Sequence, residues 1–84
     1  MSAKKVSIYT TPACSYCRMA KQYFQNKGVA YDEYNVAADS ERRQEMIMKS
    51  GQMGVPVIAI VNDEGKEDLV VGFDESALAQ LLSL

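Results

Sequence analysis

The chain is organised around residues 11–18, Thr-Pro-Ala-Cys-Ser-Tyr-Cys-Arg, which hold its only two cysteines, Cys14 and Cys17. A helix rises about 1.5 Å per residue, so two residues three positions apart place their Cα atoms roughly 5 Å from each other. A disulfide tolerates Cα separations of roughly 4.4–6.8 Å. If a helix begins at this motif, the two sulfurs can form and break a disulfide with little movement of the backbone. The spacing therefore predicts a redox switch.

The start of a helix favours a thiolate on the first of these sulfurs. Unsatisfied N–H groups and the helix macrodipole place partial positive charge at a helix N-terminus. Arg18 and Lys21 follow Cys14 at helical spacing and are expected to project along the same side of the helix. We therefore predict that Cys14 is the nucleophile, and that Cys17, one turn further in and facing the core, is the resolving thiol.

An inert structural role and a metal-binding role are the two alternatives to redox chemistry for the cysteine pair. Free cysteine is often a buried, inert side chain, but two inert cysteines would not need this spacing at a helix start. C-x-x-C also occurs in zinc modules, which need further ligands. The chain has no histidine and no third cysteine, so a metal site would have to be shared between chains. We predict no metal site.

Composition limits the class of protein. With 84 residues and a hydrophobic fraction of 48%, the chain is expected to form one domain, residues 1–84, with a single compact core. A net charge of −2 argues against nucleic acid as a partner, since that function favours a basic surface. No apolar run approaches the roughly 20 residues that span a bilayer, so no membrane partner is expected.

The usage of cysteine and the first residues of the chain bear on its compartment. Residues 1–5 are partly basic, but the apolar run at residues 6–9 is too short for the core of a signal peptide. In a reducing compartment, C-x-x-C is more often catalytic or metal-binding than a structural disulfide. We therefore predict a cytoplasmic protein.

The order of apolar runs, caps and turns along the chain predicts the pattern β-α-β-α-β-β-α. A strand, a 13-residue helix and a second strand form a βαβ unit, whose strands should be parallel with a right-handed crossover. The predicted strands are Val6–Tyr9, Ala30–Val36, Val57–Val61 and Asp68–Val71; the helices run from the cysteine motif to Lys27, from a cap at Asp39 to Gly51, and onward from a cap at Asp74.

The sequence resembles the glutaredoxins, within the thioredoxin superfamily. Beside the cysteine motif, the resemblance is carried by Ala20-Lys21 and Lys27-Gly28 in the first helix, residues 50–56 ending in Val-Pro, and residues 71–74, Val-Gly-Phe-Asp. It covers nearly the whole chain. It implies a thioredoxin-like α/β fold, with a four-stranded mixed sheet in the order 2-1-3-4 flanked by helices, and with the third strand antiparallel to its neighbour.

The resemblance also implies a substrate-binding site for thiols. Pro56 should follow a cis peptide bond, the backbone of Val55 should pair with an extended thiol substrate, Phe73 and Asp74 should receive the amino end of glutathione, and Tyr16 should belong to the same pocket. From the residues alone, a trans proline at a strand start and a tyrosine used in packing are the more ordinary interpretations.

Three residues depart from the pattern of the family. Ser15 stands where proline is commonest. Thr11 and Met53 occupy positions that are often Lys or Arg and that commonly anchor the glycine carboxylate of glutathione. Each missing cation removes a contact worth roughly 1.5–3 kcal/mol, although Gln52 and Lys21 offer polar groups that could compensate in part.

The function predicted on these grounds is a dithiol thiol–disulfide oxidoreductase, expected to be monomeric. It would bind no cofactor, would use glutathione as co-substrate, and would reduce disulfides in proteins or mixed disulfides of glutathione. Two alternatives stay open. In one, a flavoprotein of the thioredoxin reductase type supplies the electrons. In the other, Cys14 and two glutathione molecules hold a [2Fe–2S] cluster in a homodimer, as in some glutaredoxins that have serine after the first cysteine.

Overall fold

The computed structural model describes residues 5–83 as a four-stranded sheet with three helices. Residues 1–4, which belong to the partly basic start of the chain, and residue 84 lie outside this description. Within it, no helix combines the length and the apolar character needed to cross a bilayer. The elements are β1 (Lys5–Thr10), α1 (Ser15–Asn26), β2 (Asp32–Asn35), α2 (Ser40–Ser50), β3 (Val57–Val61), β4 (Glu67–Val71) and α3 (Glu75–Leu82).

The sheet has the strand order β2-β1-β3-β4. Strand β1 pairs in parallel with β2 and antiparallel with β3, and β3 pairs antiparallel with β4. This is the mixed sheet that the resemblance implies, and the predicted thioredoxin-like α/β fold is confirmed.

Apolar side chains alternate across the strands, so both faces of the sheet are covered. One face packs against α1 and α3, which contribute Ala20, Phe24 and Leu78 to the cluster with Ile8, Ile58 and Ile60. The other face packs against α2, which contributes Met46 to the cluster with Tyr9, Val57 and Ala59. The sheet is therefore the middle layer of three.

Strand β2 is shorter than the predicted Ala30–Val36. Directly after it, the side-chain oxygen of Asn35 accepts the N–H of Ala37 at 3.0 Å, and the Asn35 carbonyl accepts the N–H groups of Ala38 and Asp39. Asparagine side chains form turns of this kind readily. The chain therefore turns away from the sheet at Asn35.

Three segments gather at one end of the sheet because of the strand directions. Tyr9 of β1 lies opposite Val57 of β3, and Val57 lies opposite Val71 of β4. Strands β1 and β4 end at this edge, where β3 begins. The loop to Cys14, the segment before Val57 and the segment after Val71 therefore leave the sheet side by side.

Candidate active site

Cys14 occupies the N-cap position of α1. Its backbone is extended, with φ −90° and ψ 112°, and its Sγ accepts the backbone N–H of Cys17 at 3.1 Å. The sulfur thus takes the place of the side-chain oxygen that usually caps a helix. An N–H donor and the positive end of the helix dipole therefore both face this sulfur. Cys14 is half-buried, so its sulfur remains accessible.

Cys17 has the opposite surroundings. It is only 1% exposed and belongs to the core side of α1. Burial raises the pKa of its thiol to about 12, and a hydrogen bond with the Cys14 side chain contributes to the increase. Only a small fraction of Cys17 is therefore thiolate at neutral pH. The two cysteines therefore differ in their surroundings: Cys14 is half-buried, whereas Cys17 is buried and its thiol is mostly protonated.

The two cations predicted to lie beside the cysteines have definite partners. Arg18 Nη1 makes a long contact of 3.5 Å with the carbonyl oxygen of Pro12. Lys21 Nζ lies 2.8 Å from Glu33 Oε2, and the same carboxylate oxygen accepts the Thr10 hydroxyl at 2.8 Å. These two hydrogen bonds, with the positive charge of Lys21, hold the pKa of Glu33 below its usual value.

The sequence does not indicate a role for Glu33 and Thr10. The acidic character of β2 suggests only an exposed edge strand. No local pattern predicts the contacts of Glu33 with Lys21 and Thr10. They depend on the pairing of β1 with β2, in which Glu33 lies opposite Ile8. A lysine four residues after Cys17 is the one signal in the sequence that points to this place.

The Val55–Pro56 peptide bond is cis, as the resemblance implies. Pro56 is buried and Val55 is half-buried, and the carbonyl oxygen of Pro56 accepts the N–H of Gly72 at 2.8 Å. This hydrogen bond fastens the segment before β3 to the segment after β4. Two of the three segments predicted to bind substrate are thus tied together by their backbones.

The remaining residues predicted to bind substrate lie at helix starts. Tyr16 is in the first turn of α1 and is 61% exposed. Phe73 is half-buried and places its ring edge-on to Tyr23, with 5.9 Å between ring centroids. Asp74 is exposed, and its side chain caps α3 by accepting the N–H of Ala77 at 3.2 Å. Both helices therefore begin near the end of the sheet where Cys14 lies.

The two side chains that could replace a missing glutathione anchor make contacts of their own. Lys21 is paired with Glu33. Gln52 encloses the backbone of Gly54, accepting its N–H at 2.6 Å and donating to its carbonyl at 3.0 Å. Met53 is 61% exposed, and Thr11 is half-buried. The positions that are often basic in glutaredoxins therefore present no cation here.

The side chains present do not by themselves form a cluster site. A [2Fe–2S] cluster takes four ligands, mostly cysteine thiolates, whereas Cys14 is the one accessible thiol of this chain. Among residues 5–83, no three Cys, His, Asp or Glu side chains are grouped as metal ligands would be. Three of the four ligands would have to come from outside the chain.

Comparison with known proteins gives consistent matches. The family model described as Glutaredoxin matches residues 6–65. A glutaredoxin-like 8.6 kDa protein of the rubredoxin operon of Clostridium pasteurianum is 38% identical over 77 residues, which cover 92% of this chain and 96% of that protein. Glutaredoxin 3 of Escherichia coli K12 is 42% identical over 55 residues, which cover 66% of each chain.

Two solved structures match over most of the chain. The crystal structure of the thioredoxin-like protein BC3987 has a TM-score of 0.79 and 30% identity, covering 92% of this chain and 99% of that one. The NrdH-redoxin of Escherichia coli, described as a glutaredoxin-like protein with a thioredoxin-like activity profile, has a TM-score of 0.74 and 26% identity, covering 92% and 93%.

Proposed function

This chain belongs to the glutaredoxin family of thiol–disulfide oxidoreductases, and we propose that it acts through two thiols, Cys14 as nucleophile and Cys17 as resolving thiol. The observation that carries this proposal is the hydrogen bond of 3.1 Å from the Cys17 N–H to Cys14 Sγ at the start of α1. It supplies a donor to the accessible sulfur, while the buried position of Cys17 keeps the second sulfur protonated until it is needed.

The reaction proceeds in two exchanges. The Cys14 thiolate attacks a substrate disulfide, a bond forms between Cys14 and one substrate sulfur, and the other sulfur leaves as a thiolate that takes up a proton. Cys17 then loses its proton and attacks Cys14 Sγ. The mixed disulfide breaks, the Cys14–Cys17 disulfide forms, and the reduced substrate leaves.

We assign the binding of the substrate to the segments around Cys14. An extended thiol substrate would pair with the backbone of Val55 beside Pro56, in the manner of an added strand. Tyr16, Phe73 and Asp74 would line the rest of the cleft, with Asp74 near the amino end of glutathione. The hydrogen bond from the Gly72 N–H to the Pro56 carbonyl oxygen supports this assignment, because it joins the segment before β3 to the segment that holds Phe73 and Asp74.

Glutathione is proposed as a co-substrate that binds weakly. The protein is proposed to bind no cofactor. Neither Thr11 nor Met53 carries a positive charge for an ion pair with the glycine carboxylate of glutathione, and Lys21 and Gln52 already have partners. Each missing charge-assisted contact corresponds to about one to two decades of affinity. Half-saturation with glutathione is therefore expected in the millimolar range.

The absence of a cation at positions 11 and 53 favours a second candidate electron donor, a flavoprotein of the thioredoxin reductase type. A redoxin that takes electrons from a protein needs no anchor for the carboxylate of glutathione. The similarity to the NrdH-redoxin of Escherichia coli, with its thioredoxin-like activity profile, supports this alternative. In either case the proposed substrates are disulfide-containing proteins, and a monomer in the reducing cytoplasm is the proposed working form.

An insulin reduction assay run with two reducing systems tests the proposal. One contains glutathione, glutathione reductase and NADPH, and the other contains thioredoxin reductase and NADPH. The unaltered protein should reduce insulin with at least one system, and Cys14→Ser should reduce it with neither. Turnover by Cys14→Ser equal to that of the unaltered protein would refute the role of Cys14.

A further inference from the structure

We propose that Lys21 is a positioning residue of the resolving step, whose ammonium group stabilises negative charge on the sulfur of Cys17, and that Glu33 and Thr10 hold it there. This inference rests on the proposed function, because it concerns the second of the two exchanges.

The geometry of α1 places Lys21 beside Cys17. The two residues are four positions apart within the helix Ser15–Asn26, and residues at this spacing are neighbours on one helix face. A lysine side chain is long and flexible and does not hold a fixed position unless it has a partner. The partner here is the carboxylate of Glu33, whose Oε2 lies 2.8 Å from Lys21 Nζ.

Glu33 is itself fixed from the other side. Thr10 is only 2% exposed, and its hydroxyl donates to the same Oε2 at 2.8 Å. Thr10 is the last residue of β1 and directly precedes the loop that leads to Cys14. The three side chains thus join β1, β2 and α1, and they hold the ammonium group of Lys21 on the side of α1 that carries Cys17.

The resolving step is the one that needs this charge. Cys17 is 1% exposed, and burial raises the pKa of its thiol to about 12. The groups that act on it are the Cys14 side chain, the backbone of Thr11 and the charge of Lys21, of which the last two lower its pKa. When Cys17 gives its proton to solvent and attacks Cys14 Sγ, the charge of Lys21 favours the thiolate that forms.

Lys21 acts as a cation and does not accept the proton. The hydrogen bond to Glu33 raises the pKa of Lys21 above its ordinary value, so it stays charged at neutral pH. The same contact lowers the pKa of Glu33, which makes this carboxylate a poor base. The proton of Cys17 therefore goes to water, and the leaving thiolate of the substrate takes up another.

Rapid-quench mass spectrometry separates the two exchanges. Reduced protein is mixed with glutathione disulfide, and the mixed disulfide with glutathione is followed as it forms and decays. Lys21→Gln should slow the decay by about tenfold at pH 7, the size expected for one partly screened charge near the sulfur, and should affect the formation less. Lys21→Arg should restore most of the rate. The difference in decay rate between the unaltered protein and Lys21→Gln should shrink as salt is raised. The Lys21 side chain is 27% exposed, so salt screens its charge.

Lys27→Gln is the matched control, since it removes the same charge from the end of the same helix, and its decay should equal that of the unaltered protein. If Lys21→Gln does not fold, Lys21→Met keeps the alkyl stem and serves in its place. Decay of Lys21→Gln at the rate of the unaltered protein would overturn the role of Lys21 alone. Failure of Cys14 to form a mixed disulfide with either glutathione disulfide or insulin, in the unaltered protein and in Cys17→Ser, would instead overturn the proposed function.

Discussion

The backbone N–H of Gly72 donates a hydrogen bond of 2.8 Å to the carbonyl oxygen of Pro56. This bond joins the segment that precedes β3 to the segment that follows β4, at the end of the sheet where Cys14 lies. Gly72 has a φ of +83°, a conformation that residues with a Cβ adopt only at a cost. The shape of the proposed substrate cleft therefore depends on Gly72, because only glycine adopts this conformation readily and its N–H makes the hydrogen bond to Pro56.

Gly72→Ala should impair both stability and turnover. The left-handed conformation costs a residue with a Cβ roughly 1–2 kcal/mol, and relief of this strain would move Gly72 away from Pro56. Gly65→Ala is a close control, because Gly65 has the same φ of +83°, lies in the turn between β3 and β4, and like Gly72 has open space around an added Cβ. Chemical denaturation should give similar losses for both variants, whereas insulin reduction should fall severalfold only for Gly72→Ala. Equal turnover of the two variants would separate the hydrogen bond from function.

Alkylation of the reduced protein should distinguish the two cysteines. Iodoacetamide reacts with thiolates, and burial raises the pKa of Cys17 to about 12, while Cys14 is accessible and receives the N–H of Cys17. At pH 7, Cys14 should be modified at least about tenfold faster than Cys17, as measured by peptide mass spectrometry over time. Faster modification of Cys17 would reverse the assigned roles.

Restoring cations at the two altered positions should improve the use of glutathione. Thr11→Lys combined with Met53→Arg should lower the glutathione concentration at half-saturation by roughly tenfold or more. The cost to stability should be small, since Met53 is 61% exposed and Thr11 is half-buried in a loop. The gain should shrink as salt is raised. Steady-state assays with glutathione reductase measure both effects. Tight use of glutathione by the unaltered protein, unchanged by the double substitution, would mean that the carboxylate anchor lies elsewhere.

The hydrogen bond from the buried Tyr9 hydroxyl to Glu45 should make stability depend on pH. This bond is the largest of the causes that lower the pKa of Glu45 from 4.5. A lowered carboxyl pKa contributes stability that is present above the unfolded value and is lost as pH falls through the folded value. Tyr9→Phe should therefore lower the free energy of unfolding by roughly 1–2 kcal/mol at pH 7, with a smaller difference near pH 3.

Tyr31→Phe provides the comparison for this effect. The Tyr31 hydroxyl accepts a hydrogen bond from the neutral amide of Gln25 at 3.0 Å. Removal of this hydroxyl should therefore lower the free energy of unfolding by less, and by the same amount at pH 7 and pH 3. Urea denaturation of the three proteins at both pH values measures the differences. If Tyr9→Phe lowers the free energy of unfolding by the same amount at both pH values, the Tyr9 hydroxyl does not lower the pKa of Glu45.

The elements and their order can be predicted from the sequence because local signals mark them. Periodicity identifies the buried face of α1 with Cys17, Ala20 and Phe24, and the cap at Asp39 accepts the N–H of Arg42 at 3.1 Å as expected. The sheet order and the cis bond before Pro56 follow only from the resemblance, since neither has a local signature in the residues themselves.

Contacts between distant parts of the chain cannot be predicted in this way. The pairing of Lys21 with Glu33 joins residues twelve positions apart, and the bond from Tyr9 to Glu45 joins residues thirty-six apart. Both depend on how helices pack over strands, and no local pattern of residues reveals that packing. Helical spacing places Lys21 beside Cys17, but it gives no sign that a carboxylate would hold it.

The proposed division of labour, in which Cys14 forms the covalent intermediate and Cys17 resolves it, is tested most directly by trapping. Cys17→Ser protein is incubated with insulin or glutathione disulfide, quenched with acid, digested, and mapped by mass spectrometry without reduction. We expect a stable mixed disulfide on Cys14 in nearly all molecules, with none retained after the same treatment of the unaltered protein, which resolves it. These roles would be contradicted if no mixed disulfide formed on Cys14 in Cys17→Ser. They would also be contradicted if a mixed disulfide formed as readily on Cys17 in Cys14→Ser.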